Sequence, residues 1–291
     1  MEPTTIATIN FKGGVGKTTV TWCLANVAAA TMGHPTLLFD LDAQMSLTQA
    51  VALKPETGGL TPLGQWYERA IENKRTLFHA IEAYTSPKKG TYFDFPIKHD
   101  FIYHVDGKSL DFIPSSEEFY WFELEVFDRD QIKHFVRDLL GKIANTPAVP
   151  KYRYVFFDCP PNFSVLSYST LATCKLILVP VNPDFYAARG LMLILKHLKL
   201  RIEPFPLPTI AVFMNKAGYR ANSGLFRETR LYMDRCRAVC AEWLKNGSKV
   251  YWLETFIPDR VDVKRAIHFG GWAQRHTGDF ADLFKTIEKT V

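Results

Sequence analysis

The sequence predicts a doubly wound α/β fold built on a mostly parallel sheet, and three observations support this prediction. Short apolar runs alternate with helical patterns, the runs are apolar at nearly every position, and the first run leads directly into a glycine-rich loop. Strands that are apolar almost throughout are typical of a parallel sheet buried on both faces. The 291 residues suffice for one large α/β domain, so we expect residues 1–291 to form a single domain.

The predicted strands alternate with helices except in one part of the chain. The strand-like runs cover residues 5–9, 36–40, 110–113, 152–158, 176–181, 209–214 and 250–257. Residues 54–107 interrupt this order with helical patterns at 63–73 and 76–84 and with several aromatic residues near the end of the segment. So many large apolar groups are atypical of a disordered linker. We therefore expect an insertion that packs onto the main domain.

The glycine-rich segment at residues 12–19 has the sequence Lys-Gly-Gly-Val-Gly-Lys-Thr-Thr. A strand, a glycine-rich loop and a helix in this order are the setting of a phosphate-binding loop, in which backbone N–H groups and the helix N-terminus face phosphate oxygens. Lys17 can reach the β and γ phosphates, and the Thr18 hydroxyl can bind Mg²⁺. The residues expected to contact the nucleotide are Gly13, Gly14, Val15, Gly16, Lys17, Thr18 and Thr19. The predicted ligands are ATP and Mg²⁺.

This loop is a variant of the generic phosphate-loop pattern. Phe11 stands where the pattern has glycine, and Lys12 adds a second lysine. The arrangement resembles the deviant Walker A motif of the ParA/MinD family of partitioning and positioning ATPases, and most of all its short ParA-like members. The resemblance implies a P-loop NTPase fold of the SIMIBI type. It also implies an ATP-bound homodimer in which Lys12 reaches the nucleotide of the partner subunit.

Carboxylates follow two of the predicted strands. Residues 40–44, Asp-Leu-Asp-Ala-Gln, resemble the switch segment Asp-x-Asp-Pro-Gln of the family, in which Asp42 orients the attacking water near Mg²⁺ and Ala43 replaces the usual proline. The strand at 152–158 ends in Asp158, the Walker B arrangement for holding Mg²⁺, and a Cys-Pro-Pro turn similar to the second switch of the family follows. The resemblance implies that Lys12, Lys17 and Asp42 are catalytic and that Thr18, Asp42 and Asp158 hold the metal.

Two later segments resemble the base-binding part of the family. Asn215 ends the strand predicted at 209–214, and its amide can both donate to and accept from a purine edge. Pro258 and Asp259 resemble the loop that closes over the base. We therefore expect Asn215, Pro258 and Asp259 to contribute to nucleotide binding.

The positive charge of the chain is concentrated near its C-terminus. Residues 216–275 contain twelve Lys and Arg against six Asp and Glu, and the whole chain has a formal charge of +5. Arg227, Arg230, Asp234 and Arg237 recur at helical spacing along a helix predicted at 223–245. Such an arginine stripe can contact phosphates without distinguishing sequence. The predicted sites for non-specific double-stranded DNA are Arg227, Arg230, Arg237, Arg260, Lys264 and Arg265, the alternative being a solvated helix face.

Three uses of an ATP switch compete. The first is sequence-independent DNA binding in the ATP state, which would serve to partition or position a plasmid, a chromosome or a protein complex. A MinD-like membrane-associated ATPase needs a basic C-terminal helix, whereas residues 279–289 carry three acids against two lysines, so no membrane partner is expected. A metabolic or metal-linked P-loop enzyme is the third, but the five scattered cysteines suit no bridging cluster.

The partners and the location follow from the same reasoning. The resemblance implies slow hydrolysis that a ParB-like cargo adaptor stimulates, so that hydrolysis dissolves the dimer. An odd, scattered set of cysteines fits a reducing cytoplasm. We therefore expect a cytoplasmic protein associated with the nucleoid.

Overall fold

The computed structural model describes residues 2–52, 62–85, 93, 95–97, 101–105, 107–125, 132–202, 208–222, 224–263 and 276–290. The strands within these residues are β1 (Thr4–Thr8), β2 (Thr36–Asp40), β3 (Tyr103–His104), β4 (Leu110–Ile113), β5 (Tyr154–Asp158), β6 (Leu176–Val181), β7 (Thr209–Ala217), β8 (Tyr219–Arg220), β9 (Gly224–Leu225), β10 (Val250–Trp252) and β11 (Ile257–Pro258). The helices are α1 (Lys17–Asn26), α2 (Ser46–Ala52), α3 (Pro62–Glu72), α4 (Leu77–Thr85), α5 (Phe119–Glu125), α6 (Phe135–Ala144), α7 (Val165–Thr173), α8 (Ala187–Ile202), α9 (Arg227–Lys245) and α10 (Thr277–Glu288). No helix in the described ranges is long and apolar enough to cross a membrane.

The main sheet has the strand order β10-β7-β6-β1-β5-β2-β4-β3, and β11 also pairs with β7. Every pair along this order is parallel except β3 with β4 at the edge. The order reverses around β1, from which the chain passes through the glycine-rich loop into α1. The predicted doubly wound, mostly parallel α/β fold is therefore confirmed.

The register of the central strands brings the two strand-end carboxylates together. Asp40 of β2 and Asp158 of β5 are direct partners across the sheet, and Thr8 of β1 is the partner of Asp158 on the other side. Ligands of open α/β sheets bind outside the carboxyl ends of the strands, where the strand order reverses. The two carboxylates and the glycine-rich loop therefore share one edge of the sheet.

The alternation of side chains along each strand builds two hydrophobic cores. Ile6 and Phe156 belong to one core, together with α1 and α10. Ala7 and Phe157 belong to the other, together with α6, α7, α8 and α9. Successive side chains of a strand point to opposite faces, which explains why the central strands are apolar throughout.

Two predicted elements, the last strand and the helix before it, have different bounds in the structure. The strand predicted at 250–257 is interrupted, and its two halves, β10 and β11, both pair with β7. The helix predicted to begin at residue 223 begins at Arg227, because the short hairpin β8–β9 precedes it and the Phe226 N–H donates to the Gly218 carbonyl at 2.9 Å. One π-helical turn at Val27–Thr31 directly follows α1.

The segment at 54–107 contributes to the core where it is described. Phe95, Ile97 and Phe101 are buried in the core that α6 covers. Tyr103 and His104 form the antiparallel edge strand beside β4. The division of the chain into one domain with an insertion remains a prediction.

Candidate functional site

The loop between β1 and α1 has the backbone geometry of an anion-binding turn. Gly14 and Gly16 have φ angles of +73° and +91°, which only glycine adopts without strain. A Cβ at Gly16 would lie 2.5 Å from the Asn215 side-chain nitrogen, so this position also requires the absence of a side chain. Gly16 is the N-cap of α1 and provides no side-chain cap. The first N–H groups of α1 are therefore free to meet an anion.

Lys17 is held next to carboxylates at the start of α1. Its side chain is only 8% exposed. Burial lowers the pKa of the ammonium, and the charges of Asp158 and Asp42 act in the opposite direction. A buried cation in such a position is stabilised by a further anion within hydrogen-bonding distance. The terminal phosphates of a nucleotide would provide that anion.

Asp158 is a buried carboxylate that lacks a regular hydrogen bond. The Thr18 hydroxyl lies near it and lowers its pKa, but no described residue donates a hydrogen bond of normal geometry to either carboxylate oxygen. Burial and the neighbouring Asp40 raise the pKa of Asp158 well above its usual value. The hydroxyl of Thr8 beside it is also buried, and it too has no hydrogen-bond partner among the residues that the structure describes. Because Mg²⁺ in nucleotide sites takes one or two protein oxygens together with water and phosphate, Asp158 and Thr18 fit this metal.

Asp40 stabilises the loop that carries Asp42 through hydrogen bonds. One Asp40 oxygen accepts from the Thr48 N–H and hydroxyl, both at 2.8 Å, and the other accepts from the Asp42 N–H at 3.1 Å. Burial raises the pKa of Asp40 to about 7, although these hydrogen bonds oppose the shift. The Asp42 carboxylate accepts from the Gln44 N–H at 3.0 Å and remains partly exposed. Sequence reasoning selected Asp42 and missed the supporting role of Asp40.

Lys12 forms an ion pair within its own chain. Its Nζ lies 2.6 Å from the Asp184 carboxylate, with side chains 54% and 32% exposed. The Lys12 N–H donates to Asn10 Oδ1 at 2.9 Å, which fixes the backbone before the glycines. Sequence reasoning did not identify Asp184, because 172 positions separate it from Lys12.

The predicted base-binding residues lie beside the same loop. Asn215 is buried, and its Nδ2 donates to the Val15 carbonyl at 2.6 Å. An amide nitrogen has a second hydrogen and the amide oxygen can accept, so this contact leaves capacity for a purine edge. Ile257 and Pro258 pair with the end of β7, and the Asp259 N–H donates to Ala217 at 2.9 Å. The structure therefore brings Asn215, Pro258 and Asp259 together.

The predicted DNA-binding arginines fall into two groups. Arg227 and Arg230 are exposed on α9. Arg237 is engaged with Asp234 at 2.6 Å and with both Glu254 oxygens at 2.7 and 3.0 Å. Arg260 is paired with Asp279 at 3.1 Å. Lys264 and Arg265 lie outside the described residues.

Helix α8, which packs against α9, has a basic surface that sequence reasoning missed. Its four cations, Arg189, Lys196, Lys199 and Arg201, are all exposed. The helix contains no acid, and these four side chains have no ion pair within the described part of the chain. The signal was present in the composition of residues 187–202, upstream of the basic window at 216–275.

A family model described as "AAA domain" matches residues 3–205, which is more than half of the chain. The chain belongs to the ParA-like branch of this family. The matched residues include the glycine-rich loop, both strand-end carboxylates and helix α8. The predicted resemblance to the ParA/MinD family is therefore confirmed.

Curated relatives of this ParA-like chain carry partitioning names. The chromosome partitioning protein ParA of Caulobacter vibrioides is 28% identical over 270 residues, covering 91% of this chain and 84% of the relative. The chromosome partitioning protein ParA of Myxococcus xanthus is 27% identical over 182 residues, covering 62% of this chain. The chain spans about half the length of this second relative, the match covering 53% of it.

Solved structures share the fold over almost the whole chain. The Cyanothece McdA–ATP complex superposes with a TM-score of 0.71 at 16% identity, covering 99% of this chain and 96% of McdA. The structure of pNOB8 ParA bound to nonspecific DNA gives a TM-score of 0.64 at 21% identity, and the superposition covers 99% of this chain and 98% of pNOB8 ParA. At these identities the likeness establishes the P-loop NTPase fold.

Proposed function

We propose that this ParA-like protein is an ATPase that dimerises with Mg²⁺ and ATP, binds double-stranded DNA without sequence preference in that state, and partitions or positions a cargo. The observation that carries the proposal is the buried Asp158 carboxylate beside Lys17 and the glycine-rich loop, which accepts no hydrogen bond of normal geometry from the described residues. The named functions of the ParA relatives and the nucleotide in the McdA complex support it.

The geometry suits phosphoryl transfer to water. Bound Mg²⁺ would neutralise phosphate charge, and Asp158 and the Thr18 hydroxyl are the residues that would hold it. Lys17 and the N–H groups of α1 would bind the terminal phosphates, and Asp42, partly exposed and fixed by its neighbours, would orient the attacking water. Hydrolysis of this kind needs positioning and charge stabilisation more than covalent help.

Dimerisation gives a role to Lys12. In the single chain Lys12 is paired with Asp184, so a role at the nucleotide of the partner subunit requires that this ion pair exchange for a phosphate contact. Each active site of the dimer would then be complete only when both subunits hold ATP. Hydrolysis, stimulated by a ParB-like adaptor, would return Lys12 to its own chain.

DNA binding is assigned to the basic surface of the C-terminal half. Exposed Arg227 and Arg230 on α9 provide sequence-independent phosphate contacts, and the cations of the adjacent α8 extend the surface. The DNA in the pNOB8 ParA structure supports this use of the fold. Binding of this kind places the protein on the nucleoid, in the cytoplasm.

The test is a gel shift of a random-sequence duplex by the full chain, with ADP or with Mg-ATP, at two salt concentrations. We expect retention only with Mg-ATP, and weaker retention at the higher salt because phosphate contacts release counterions. Equal retention in ADP and in Mg-ATP would contradict the proposal that DNA binding requires the ATP state. No retention in either state would contradict DNA binding.

A further inference from the structure

A cavity lies at the end of the sheet opposite the edge that holds Asp158 and the glycine-rich loop, and we call it the basal pocket. It has a volume of about 300 Å³. Thr5 and Val155 line it near the starts of β1 and β5, and Lys175 lines it just before β6. Strands rise about 3.3 Å per residue, so Val155 lies about 10 Å from Asp158 along β5. The basal pocket is therefore separate from the candidate nucleotide site.

One face of α6 forms a wall of the basal pocket. Four residues that line it recur at i, i+3, i+4 and i+7, and they are Arg137, Leu140, Gly141 and Ala144. Residues at these spacings share one face of an α-helix. A Cβ added at Gly141 would meet no atom within 4 Å. The small residues at 141 and 144 therefore leave space that larger side chains would fill.

The interior of the basal pocket is apolar. Ile143 and Val155 are buried and belong to the core that α6 covers. Pro150 and Tyr152 continue this apolar lining where the pocket is more exposed. The Tyr152 hydroxyl donates to Asp111 at 2.5 Å, so the polar end of this side chain already has a partner. Small-molecule sites are mostly apolar and carry a few polar groups that orient the ligand.

The charged residues around the basal pocket are mostly cations. Arg137, Lys151 and Lys175 line it, against one described acid, Glu2. The Lys175 ammonium lies 3.2 Å from the Glu2 carboxylate and donates to the Pro3 carbonyl at 3.0 Å. Lys175 and Glu2 therefore neutralise each other, which leaves Arg137 and Lys151 in excess.

Arg137 and Lys151 keep N–H donors for an anion. The Lys151 ammonium donates to the Ala144 carbonyl, and Arg137 Nε donates to Asp138 at 3.0 Å. An ammonium has three N–H donors and a guanidinium has five, so both cations have donors beyond these contacts. Guanidinium and ammonium groups bind carboxylates through charge-assisted hydrogen bonds. The exposed cations beside an apolar interior therefore suit a ligand with one anionic end.

We propose that the basal pocket binds a small amphipathic anion, a molecule with an apolar body and one carboxylate group. The apolar body contacts Leu140, Ile143 and Val155. The carboxylate accepts hydrogen bonds from Arg137 and Lys151. The volume is at the lower end of small-molecule sites, so the occupant is a small molecule and not a protein segment. This binding is independent of the proposed function, since none of these residues takes part in ATP or DNA binding.

The test titrates sodium octanoate into the full chain by isothermal calorimetry. Any purification tag is placed at the C-terminus, because Glu2 and Pro3 line the pocket. We expect a dissociation constant of about 1 mM or below. Octanol, which lacks the charge, and octylammonium, which reverses it, should bind at least about tenfold more weakly because the charged hydrogen bonds are lost.

Gly141→Leu should abolish octanoate binding, because the added side chain fills the pocket from α6. Leucine is a better helix former than glycine, so the helix should tolerate the change. Gly190→Leu on α8 is the matched control, since a Cβ added there also meets no atom within 4 Å. Its octanoate affinity should equal that of the wild type.

A double variant, Arg137→Gln with Lys151→Gln, tests the charged end of the site. It should weaken octanoate binding at least about tenfold and leave octanol binding unchanged. Lys245→Gln with Lys249→Gln is the matched control, because it removes the same charge from two exposed lysines that do not line the pocket. This control should bind octanoate as the wild type does.

Three results would overturn the proposal. One is the absence of octanoate binding at concentrations where octanoate is monomeric. Another is octanol binding as tight as octanoate binding, which would show that no anionic group is recognised. The third is unchanged octanoate affinity in Gly141→Leu, which would place the ligand elsewhere on the chain.

The octanoate titration needs no nucleotide, so it separates this proposal from the proposed function. Failure of octanoate binding in a chain that binds ATP and DNA contradicts only the basal pocket. Octanoate binding in a chain that binds neither ATP nor DNA supports the basal pocket and contradicts only the proposed function.

Discussion

Lys17 and Asp158 are a buried cation and a buried carboxylate that the rest of the protein leaves incompletely satisfied. Lys17 is 8% exposed and Asp158 is 1% exposed. Buried charges are stable when they are paired and hydrogen-bonded. Asp158 accepts no hydrogen bond of normal geometry from any described residue. Bound metal and phosphate would complete both environments.

Replacing Lys17 with alanine should abolish ATP binding, because the main cation for the terminal phosphates is lost. Isothermal titration with Mg-ATP measures this directly. Lys175→Ala is the matched control, since Lys175 pairs with Glu2 beside the start of the sheet. Unchanged ATP affinity in Lys17→Ala would remove the glycine-rich loop from the nucleotide site.

Asp42→Ala should slow ATP turnover by about a hundredfold or more, because the group that orients the attacking water is lost. ATP binding should persist, so the dimer should accumulate with ATP in sedimentation. Asp282→Ala, an exposed carboxylate on α10, should turn over ATP at the wild-type rate. Wild-type turnover in Asp42→Ala would exclude Asp42 from catalysis.

The residues of this site were predictable to different degrees. Lys17, Thr18 and the glycines lie in one short motif, so their chemistry is visible in the sequence. Asp158 follows from a strand that ends in a carboxylate. Asp184 and Thr48 were not predictable, because their partners Lys12 and Asp40 are brought to them only by the folded sheet and its loops.

Helices α8 and α9 carry the exposed cations to which we assign DNA binding. Arg227 and Arg230 on α9 are exposed, whereas Arg237 is neutralised by Asp234 and Glu254. An arginine that is already in two ion pairs must give them up to contact a phosphate, so it contributes less to DNA affinity than an unpaired arginine. Position on a helical stripe therefore does not by itself identify a DNA contact.

Reversing Arg227 and Arg230 to glutamate should weaken DNA binding at least about tenfold, because two phosphate contacts become repulsive. Filter binding with Mg-ATP measures the affinity, and ATP titration should give the wild-type value. Arg237→Ala is the matched control on the same helix. It should cost less than about 1 kcal/mol of unfolding free energy, since the pair is partly exposed, and should bind DNA nearly as well.

The double variant Lys196→Glu and Lys199→Glu tests the neighbouring helix. A loss of DNA binding in this variant alone would move the principal contact from α9 to α8. A loss in both double variants is the expected result, because the two helices pack side by side.

Element boundaries were less predictable than element types. Strands β2 and β6 match their predicted positions, and β1 and β5 lie within two residues of theirs, because each is an apolar run with clear ends. The interruption between β10 and β11 was not predicted, since Leu253 and Phe256 continue the apolar pattern on either side of Glu254 and Thr255. The start of α9 was placed too early, because Gly224, with a φ angle of +70°, turns the chain into a hairpin first.

At the scale of the whole molecule, two hydrophobic cores share one parallel sheet. Phe156 points into one core and Phe157 into the other, and both are fully buried. Phe157 stacks on Phe39 with ring centroids 4.8 Å apart. A substitution that disrupts the packing of either core therefore affects β5, the strand that ends at Asp158.

Phe156→Ala should lower the free energy of unfolding by about 3–5 kcal/mol, because it leaves a cavity in a closely packed core. Urea denaturation followed by circular dichroism measures the loss. Tyr251→Ala, a partly exposed aromatic on β10, should cost under about 1 kcal/mol. A similar cost for the two variants would contradict the described core.

In the proposed ATP dimer, Lys12 would exchange one ionic partner for another. The Asp184 carboxylate would leave the Lys12 ammonium as a phosphate arrived, so the number of ion pairs formed by Lys12 would stay the same. Dimerisation should therefore depend weakly on ionic strength, whereas DNA binding, which releases counterions, should depend on it steeply. A moderate salt step would then free the DNA and leave the ATP dimer assembled, ready to bind elsewhere on the nucleoid.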